Sequence, residues 1–567
     1  QDDTTFLQDE ESTKRRRVGS RFRKTTHDER GNRYSLPPPF YDETTLERNL
    51  GTRSGLDDPR LQYTQLAVQA DLLKYFPREE NRLYRPVTTI DDIQYRMPYR
   101  SGIGGYNQFN LMLHKTTHKG QRKLFISELQ AAIQLYKQLG SLDARAVVVY
   151  AGAAPSMKLF NLMELFPNVV FVLVDPNEFF IYDGKYGLPH YVRQDPDYIE
   201  HGDKWGVFAD KGIRQRNSQD YVYLSYSDSN MYESPEYKEK NILWYNPDTG
   251  KLESSSKPFI DSGKGKSAKR INEHIGEFNI HKRANQASFD YVFSNLSEDK
   301  LQHRVFFVEE YFTDDIARMI AKSAAANGVK FAFWSDIRTN LFNKKSPTDT
   351  DIILNTVWMF NWLMIMKPAV SMLKFRTPYM DSGSIEWDNT DIGFPQALET
   401  AKGFGYDFRS HITQHGNLPF FDGKIMLQTW QGSHSTETRL IVDADSINTS
   451  LKNYDQHEYE EKLFFYNMVE RFGVMRENPV YLSDPAKCQK IGIDCCNDCT
   501  IEALTWMDYK QFKPRLDIIS AMNTLGNVLH TPLLMTDMKA HGYLNPDLTL
   551  KKLKNIIESQ NYAKYLS

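Results

Sequence analysis

Two stretches early in the chain are apolar without alternation, Ala146–Tyr150 and Val169–Val174. Short runs of this kind, bounded by turn residues, suit strands buried on both faces of a parallel sheet. Between them lie the small-residue turn Ala151-Gly152-Ala153-Ala154-Pro155-Ser156 and a stretch with helical spacing. The second run ends on Asp175. Strand, glycine turn, helix, strand and acid make one βαβ unit of a doubly wound sheet. Such a turn lets backbone approach a ligand closely, and an acid about twenty residues on can hold a ribose. The turn lacks a complete G-x-G-x-x-G, so a dinucleotide site is poorly supported. An S-adenosylmethionine site, which needs one close backbone approach and a ribose-binding acid, fits better. A βα turn that binds nothing stays open on this pattern alone.

The same rhythm returns downstream. Apolar strands are expected at Val305–Phe312, Phe331–Trp334, Pro368–Phe375, Gly423–Gln428 and Ser435–Val442, with helices at Asp314–Ala326 and Asp349–Met366. An amphipathic helix opening at Lys119-Gly120-Gln121-Arg122-Lys123 should lead into the first strand. About seven strands alternating with helices predict an α/β fold, a Rossmann-like methyltransferase sheet with helices on both faces. The pattern divides the chain into five parts: a basic tail over 1–60, the cofactor half of the sheet over 61–182, and an insertion over 183–300. The second half of the sheet lies over 301–475, and a C-terminal extension over 476–567. Within these, a helix is expected near Leu61–Tyr75, and a Gly/Tyr-rich loop at Tyr99–Tyr106. Amphipathic spacing at Leu550, Leu553 and Ile557 suits packing or a partner surface.

Composition narrows the setting. In 567 residues the net charge is only −3, so contact with nucleic acid requires a local basic face. Aromatic residues make up 13% of the chain, a surplus that suits base stacking or a tyrosine-rich core. No apolar run reaches the about 18 residues of a membrane span, and Val357–Met366 reads as a buried helix. The start carries no apolar leader, and four cysteines argue against a disulfide-built secreted protein; a soluble, intracellular protein is expected. The cluster Lys14–Arg17 with Arg21, Arg23 and Lys24 reads as a solvated tail, a nuclear-import signal or a phosphate-gripping arm.

Four polar residues sit at the ends of these elements: Lys123, Asp336, Lys374 and Glu437. Strand carboxyl ends face the ligand crevice of an open α/β sheet, so Asp336 and Lys374 should converge there. Taken singly, each reads first as a surface charge. Together they suit methyl transfer to a ribose hydroxyl, which needs a base because the hydroxyl is a weak nucleophile near neutral pH. Lysine serves that role because its pKa moves readily, whereas guanidinium stays charged.

The order Lys, glycine turn, Asp, Asp, Lys, Glu resembles the K-D-K-E, RrmJ-like ribose 2′-O-methyltransferases. More narrowly it resembles the family of poxvirus cap-specific mRNA 2′-O-methyltransferases that are also the small regulatory subunit of poly(A) polymerase. The residues that carry the likeness are Gly120–Leu124 with Glu128-Leu129, Val148–Pro155, Ser335–Arg338, Pro368–Arg376 and Glu437–Leu440. The resemblance implies Lys374 as base, with Lys123, Asp336 and Glu437 completing the tetrad. For the cofactor it implies Gln121, Tyr150, Gly152, Pro155 and Asp175, with Phe312 near the adenine. It further implies a pocket for the cationic 7-methylguanine cap, built from Tyr379, Asp381 and Glu460, with Tyr106 or Tyr99 as the opposing aromatic. A cationic base gains from ring faces and from acids that neutral guanine would not need.

The likeness implies capped mRNA as substrate, a poly(A) polymerase catalytic subunit or other transcription and capping proteins as partners, and no membrane. It implies the cytoplasmic factories of a large DNA virus, and its particles, as the location; the basic cluster suits a nucleus instead. A subunit that binds RNA without catalysis is the reading of another class, and 2′-O-methylation of a different RNA is the other enzymatic one. Two positions depart from the family: Ser156 stands where glycine is usual, and Asn177 where an arginine lies near the cofactor. Finally, Cys488, Cys495, Cys496 and Cys499 fall within twelve residues. A Cys₄ zinc site, free thiols or a disulfide would each account for that clustering.

Overall fold

The protein is represented by a computed structural model that describes residues 26–27, 33–34, 87–93, 119–154, 156, 159–176, 179, 221–227, 239–258, 280–297, 301–342, 347–379, 385–429, 431, 435–467, 479–484, 486–488 and 497–528. Contacts group the chain into two units, one of residues 127–425 with 438–456, the other of 1–126, 426–437 and 457–567.

An eleven-stranded sheet dominates the first of these. Its strands are β1 (Ala146–Ala151), β2 (Val169–Val174), β3 (Tyr221–Ser227), β4 (Glu239–Asn246), β5 (Lys251–Pro258) and β6 (Ile280–Lys282). They continue with β7 (Val305–Val308), β8 (Phe331–Ser335), β9 (Val370–Phe375), β10 (Lys424–Met426) and β11 (Thr438–Asp443). Their order is β10-β11-β9-β8-β1-β2-β7-β3-β4-β5, with β6 pairing β3. From β9 to β4 neighbouring strands run parallel, while β11 is antiparallel to β9 and β5 to β4. The sheet is therefore α/β and mostly parallel, compatible with the Rossmann-like architecture that the apolar runs suggest. Those runs are unalternating because both faces are covered: every residue of β1, β2, β7 and β8 is buried.

Helix α1 (Lys119–Leu139) precedes β1, and helices between the strands include α2 (Leu159–Leu165), α3 (Gln286–Ser294), α4 (Asp314–Asn327) and α5 (Asp349–Met366). Thr313 caps α4 by accepting from the Ile316 amide, and Gly328 ends it in the left-handed conformation. Helix α5 is apolar almost all round and mostly buried, as Val357–Met366 suggests. It stops at Lys367, left-handed at φ 46, just before Pro368, which could not continue it.

The interval 183–300, whose composition reads as an insertion between core strands, adds β3, β4, β5 and β6 to the same sheet in its described part. All of β3, Tyr-Val-Tyr-Leu-Ser-Tyr-Ser, is buried. Tyrosine and serine hide such a strand from a hydrophobic scale, because a buried tyrosine contributes apolar area while scoring as polar. Within the tail expected over 1–60, Thr26–His27 pairs antiparallel with Arg33–Tyr34. The elements expected at 61–75, 99–106 and 550–557 lie outside the described residues.

The second unit holds helices α7 (Asn497–Lys510) and α8 (Ile518–Val528), and all but the first residue of α6 (Gln456–Phe465). Here the buried Arg122 guanidinium donates to both carboxylate oxygens of Glu502, at 2.9 and 2.5 Å, and to the Met522 carbonyl at 3.4 Å. The Asn497 amide exchanges hydrogen bonds with the Val87 backbone, and Phe125 packs on Trp506.

Candidate active site

In a doubly wound sheet the ligand crevice opens at the carboxyl ends of the strands, where the strand order reverses. Here the chain moves from β1 outward to β2, and β8 returns to the other side of β1. The switch point is thus β1/β8, and the residues just past these two strands are Gly152 and Asp336. A ladder of backbone bonds fixes that rim. The Asp336 amide donates to the Ala151 carbonyl at 3.0 Å, that of Gly152 to Val174 at 2.9 Å, and that of Asp175 to Val308 at 3.0 Å.

Gly152 has φ +71, and a Cβ there would stand 2.9 Å from the Ile337 nitrogen. The turn therefore requires glycine twice, for its conformation and for its approach to the Asp336–Ile337 backbone. Asp175 is buried at the end of β2, where its Oδ2 accepts from the Ala154 amide at 3.1 Å. Burial, then the charge of Asp175, raises the Tyr311 hydroxyl to about 12. Ser156 is itself left-handed at φ 56, with its hydroxyl donating to the Ala153 carbonyl at 2.5 Å. Serine is held there by a local bond that offsets part of the strain of a left-handed residue carrying a Cβ.

Lys374 on β9 and Arg439 on β11 are direct cross-strand partners, so their side chains leave the sheet on the same face. Both reach Asp336: Arg439 Nη2 lies 2.5 Å and Lys374 Nζ 3.4 Å from Asp336 Oδ1. Arg439 is almost wholly buried, whereas Lys374 and Asp336 keep some exposure. Arg439 is the residue sequence reasoning missed. Its signal was its place two residues beyond Glu437 in a strand antiparallel to β9, legible only once that register is known.

In the other unit, Lys123 Nζ and Glu437 Oε1 form a second ion pair at 3.2 Å. The Glu437 segment is held by α6 and the residues just beyond that helix: Tyr459 donates to the Thr436 carbonyl at 2.7 Å and Asn467 to that of Ser435 at 2.8 Å. The four tetrad candidates therefore fall in two ion pairs, one in each unit.

Of the remaining expected residues, Tyr150 is fully buried, its ring edge-on to Trp334 and its hydroxyl donating to Glu128 at 2.8 Å. Burial, then the Glu128 charge, holds that hydroxyl far above the usual phenol range. Its side chain is thus committed to the core. Phe312, past β7, packs on Phe333 and Trp362 with ring centroids 5.2 and 4.7 Å apart. Gln121 lies in the first turn of α1, with its side chain outside the described residues; Pro155, Tyr99, Tyr106, Asn177 and Asp381 lie outside them too. Tyr379 carries the Arg376 guanidinium over its ring face at 4.4 Å, so that face already accepts a cation. Glu460 is buried on α6, with His457 Nδ1 at 3.8 Å.

The zinc reading is not supported. Among the described residues no group of three or more His, Cys, Asp or Glu could hold a metal. Cys488 donates its S–H to the Val480 carbonyl at 3.5 Å, and burial, then Cys499, pushes its thiol up to about 12. Cys495 and Cys496 lie outside the described residues. No described helix is long and apolar enough to cross a membrane.

Comparison with known proteins bears on the same region. A sequence-family model described as Poly A polymerase regulatory subunit matches residues 250–481, which hold Asp336, Lys374, Glu437 and Arg439. Over 228 residues the chain is 23% identical to the cap-specific mRNA (nucleoside-2′-O-)-methyltransferase of Myxoma virus strain Lausanne, and equally to that of strain Uriarra. The aligned stretch is 39% of this chain and 56% of each relative, so the chain spans about half the length of the curated relatives it matches. The chain is thus similar, at low identity, to a viral mRNA methyltransferase and, over its middle, to a polymerase regulatory subunit.

Proposed function

We propose that this protein methylates the ribose 2′-oxygen of the first transcribed nucleotide of capped mRNA, with S-adenosylmethionine as donor. The observation that carries the reading is the Lys374–Asp336–Arg439 cluster at the carboxyl edge of the sheet, beside the Gly152 turn. The donor set fits the cofactor: a glycine turn at the switch point and a buried carboxylate one strand over, an acceptor suited to a ribose diol. When bound, S-adenosylmethionine supplies an electrophilic methyl group. Asp175 would hold its ribose, and Lys374 would take the 2′-hydroxyl proton as the new oxygen–carbon bond forms and the methyl–sulfur bond breaks. Asp336 fixes the Lys374 nitrogen, and Arg439 fixes Asp336. Lys123 and Glu437 belong to the same proposal as the rest of the tetrad, on the strength of the family resemblance and of their own ion pair. For the cap, Tyr379 offers a ring face that tolerates positive charge, and the family resemblance alone names Asp381, Glu460 and Tyr106 with it. The viral relatives suggest action in cytoplasmic factories.

A second reading has one observation behind it. The match to a polymerase regulatory subunit favours an RNA-binding role beside a poly(A) polymerase, alone or in addition to methylation. Both readings are tested by methyl transfer from labelled S-adenosylmethionine to two short RNAs that differ only in a 7-methylguanosine cap. Label on the first ribose of the capped RNA alone supports the proposal, and label on both removes the cap specificity. No label on either, from protein that binds the cofactor, leaves the RNA-binding reading. Lys374→Ala should lose methyl transfer by roughly a hundredfold or more while keeping cofactor affinity; a fully active variant would remove the mechanism.

A further inference from the structure

The first turn of α5 contains three consecutive polar residues, Asp349, Thr350 and Asp351, all buried in a helix otherwise built mostly from apolar side chains. Acids in a first helical turn are ordinarily solvated, where they complement the helix dipole. Burying them has a desolvation cost unless hydrogen bonds replace water. Here each bonds a different segment of chain. Asp349 Oδ1 accepts from the Tyr379 amide at 2.8 Å, and Thr350 Oγ1 from the Glu386 amide at 3.1 Å. Asp351 Oδ1 accepts from the Thr339 hydroxyl at 2.8 Å and the Leu341 amide at 3.0 Å, while its Oδ2 closes the capping box with Thr348. One turn on, Asn355 Oδ1 takes the Thr339 amide at 3.1 Å. Two of these segments are the loops that leave β8 just after Asp336 and β9 just after Lys374.

We propose that this turn is a positioning device: Asp349 sets the loop carrying Tyr379, and Asp351 with Asn355 sets the loop carrying Asp336. The inference rests on the functional reading above. Helix capping alone would need only the Thr348–Asp351 bonds. The outward bonds of Asp349 and Asp351 are surplus to it. They join two loops to one rigid helix, so that Asp336, which holds the base Lys374, and Tyr379 keep a common reference frame.

The test uses Asp349→Ala, Asp349→Asn and Asp351→Ala in the full chain. Asparagine keeps an oxygen that can accept from the Tyr379 amide; alanine does not. Asp349→Ala should raise the KM for capped RNA roughly tenfold, the worth of one charge-assisted bond, with kcat and cofactor affinity within about twofold. Asp349→Asn should restore the parent KM. Hydrogen exchange, which needs no substrate, should rise around residues 376–379 in Asp349→Ala and around 338–342 in Asp351→Ala. Equal behaviour of the alanine and asparagine variants, or exchange rising evenly through α5, would overturn the proposal. If the parent protein neither binds nor methylates capped RNA, the functional reading fails, and the two exchange patterns alone decide whether the turn positions these loops.

Discussion

Replacing Glu502 with glutamine should destabilise its unit more than a surface charge change could, because the ion pair it makes with Arg122 is shut away from water. The side chains retain 3% and 0% of their exposure, and two N–H···O bonds join them in the fork geometry that guanidinium and carboxylate share. Removing one partner leaves a buried charge uncompensated, at a cost of about 3–5 kcal/mol. The converse replacement Arg122→Met should cost a similar amount. If each cost were the worth of an independent contact, the double variant Arg122→Met/Glu502→Leu would lose about 6–10 kcal/mol. It should instead lose about 2 kcal/mol or less, since apolar side chains of similar volume leave no charge behind. The two residues sit in the first turn of α1 and in α7, so the natural assay is native-state hydrogen exchange on peptides from 122–129 and 497–510. A local loss of 3–5 kcal/mol reads as roughly two to four powers of ten in protection. A double variant as unstable as the sum of the singles would refute the reasoning. The same helical turn carries Lys123, so under the proposed function both single variants should also weaken methyl transfer.

Three further expectations rest on separate observations. Ser156→Ala keeps a side chain in a left-handed residue but loses the bond to Ala153, and should cost about 1–2 kcal/mol. Ser156→Gly removes both strain and bond and should stay within about 1 kcal/mol of the parent; thermal unfolding in which alanine outlasts glycine would contradict the local account. Burial raises the Glu310 carboxyl above its ordinary 4.5, so the folded state holds that proton more tightly than the unfolded chain does. Its contribution is fully present below the unfolded pKa and fades as pH rises through the folded one. Glu310→Gln should therefore gain stability relative to the parent as pH rises from about 4, levelling off above the folded pKa, and a pH-independent difference in denaturation would count against it. Cys488, protonated until about pH 12 and fully buried, should resist alkylation in native protein near neutral pH and react once the chain is unfolded. Rapid labelling of the native chain, read by mass spectrometry, would show that the thiol is neither buried nor raised.

Much of the sheet was legible from the chain. Ala146–Ala151, Val169–Val174 and Phe331–Ser335 announce themselves because a strand covered on both faces has no polar side to interrupt its run. The glycine at 152 and the acid at 175 were equally plain, since the turn's conformation and the strand's end restrict which residues can stand there. What composition hid was β3, whose tyrosines and serines bury as completely as valines, and the extent to which 183–300 belongs to the sheet. Tyr150 was matched by its segment, but only packing shows its hydroxyl turned to Glu128.

Local sequence determined the apolar elements: which unalternating runs are strands, where the turn needs glycine, and which charged residues end them. It could do so because propensity, apolar periodicity and turn chemistry act over a few neighbours. The tertiary structure alone decided which charges meet. Asp336 and Arg439 are 103 residues apart along the chain, as Arg122 and Glu502 are 380. Pairing at that range depends on strand order and register, and a shift of one residue would turn Arg439 to the opposite face of the sheet.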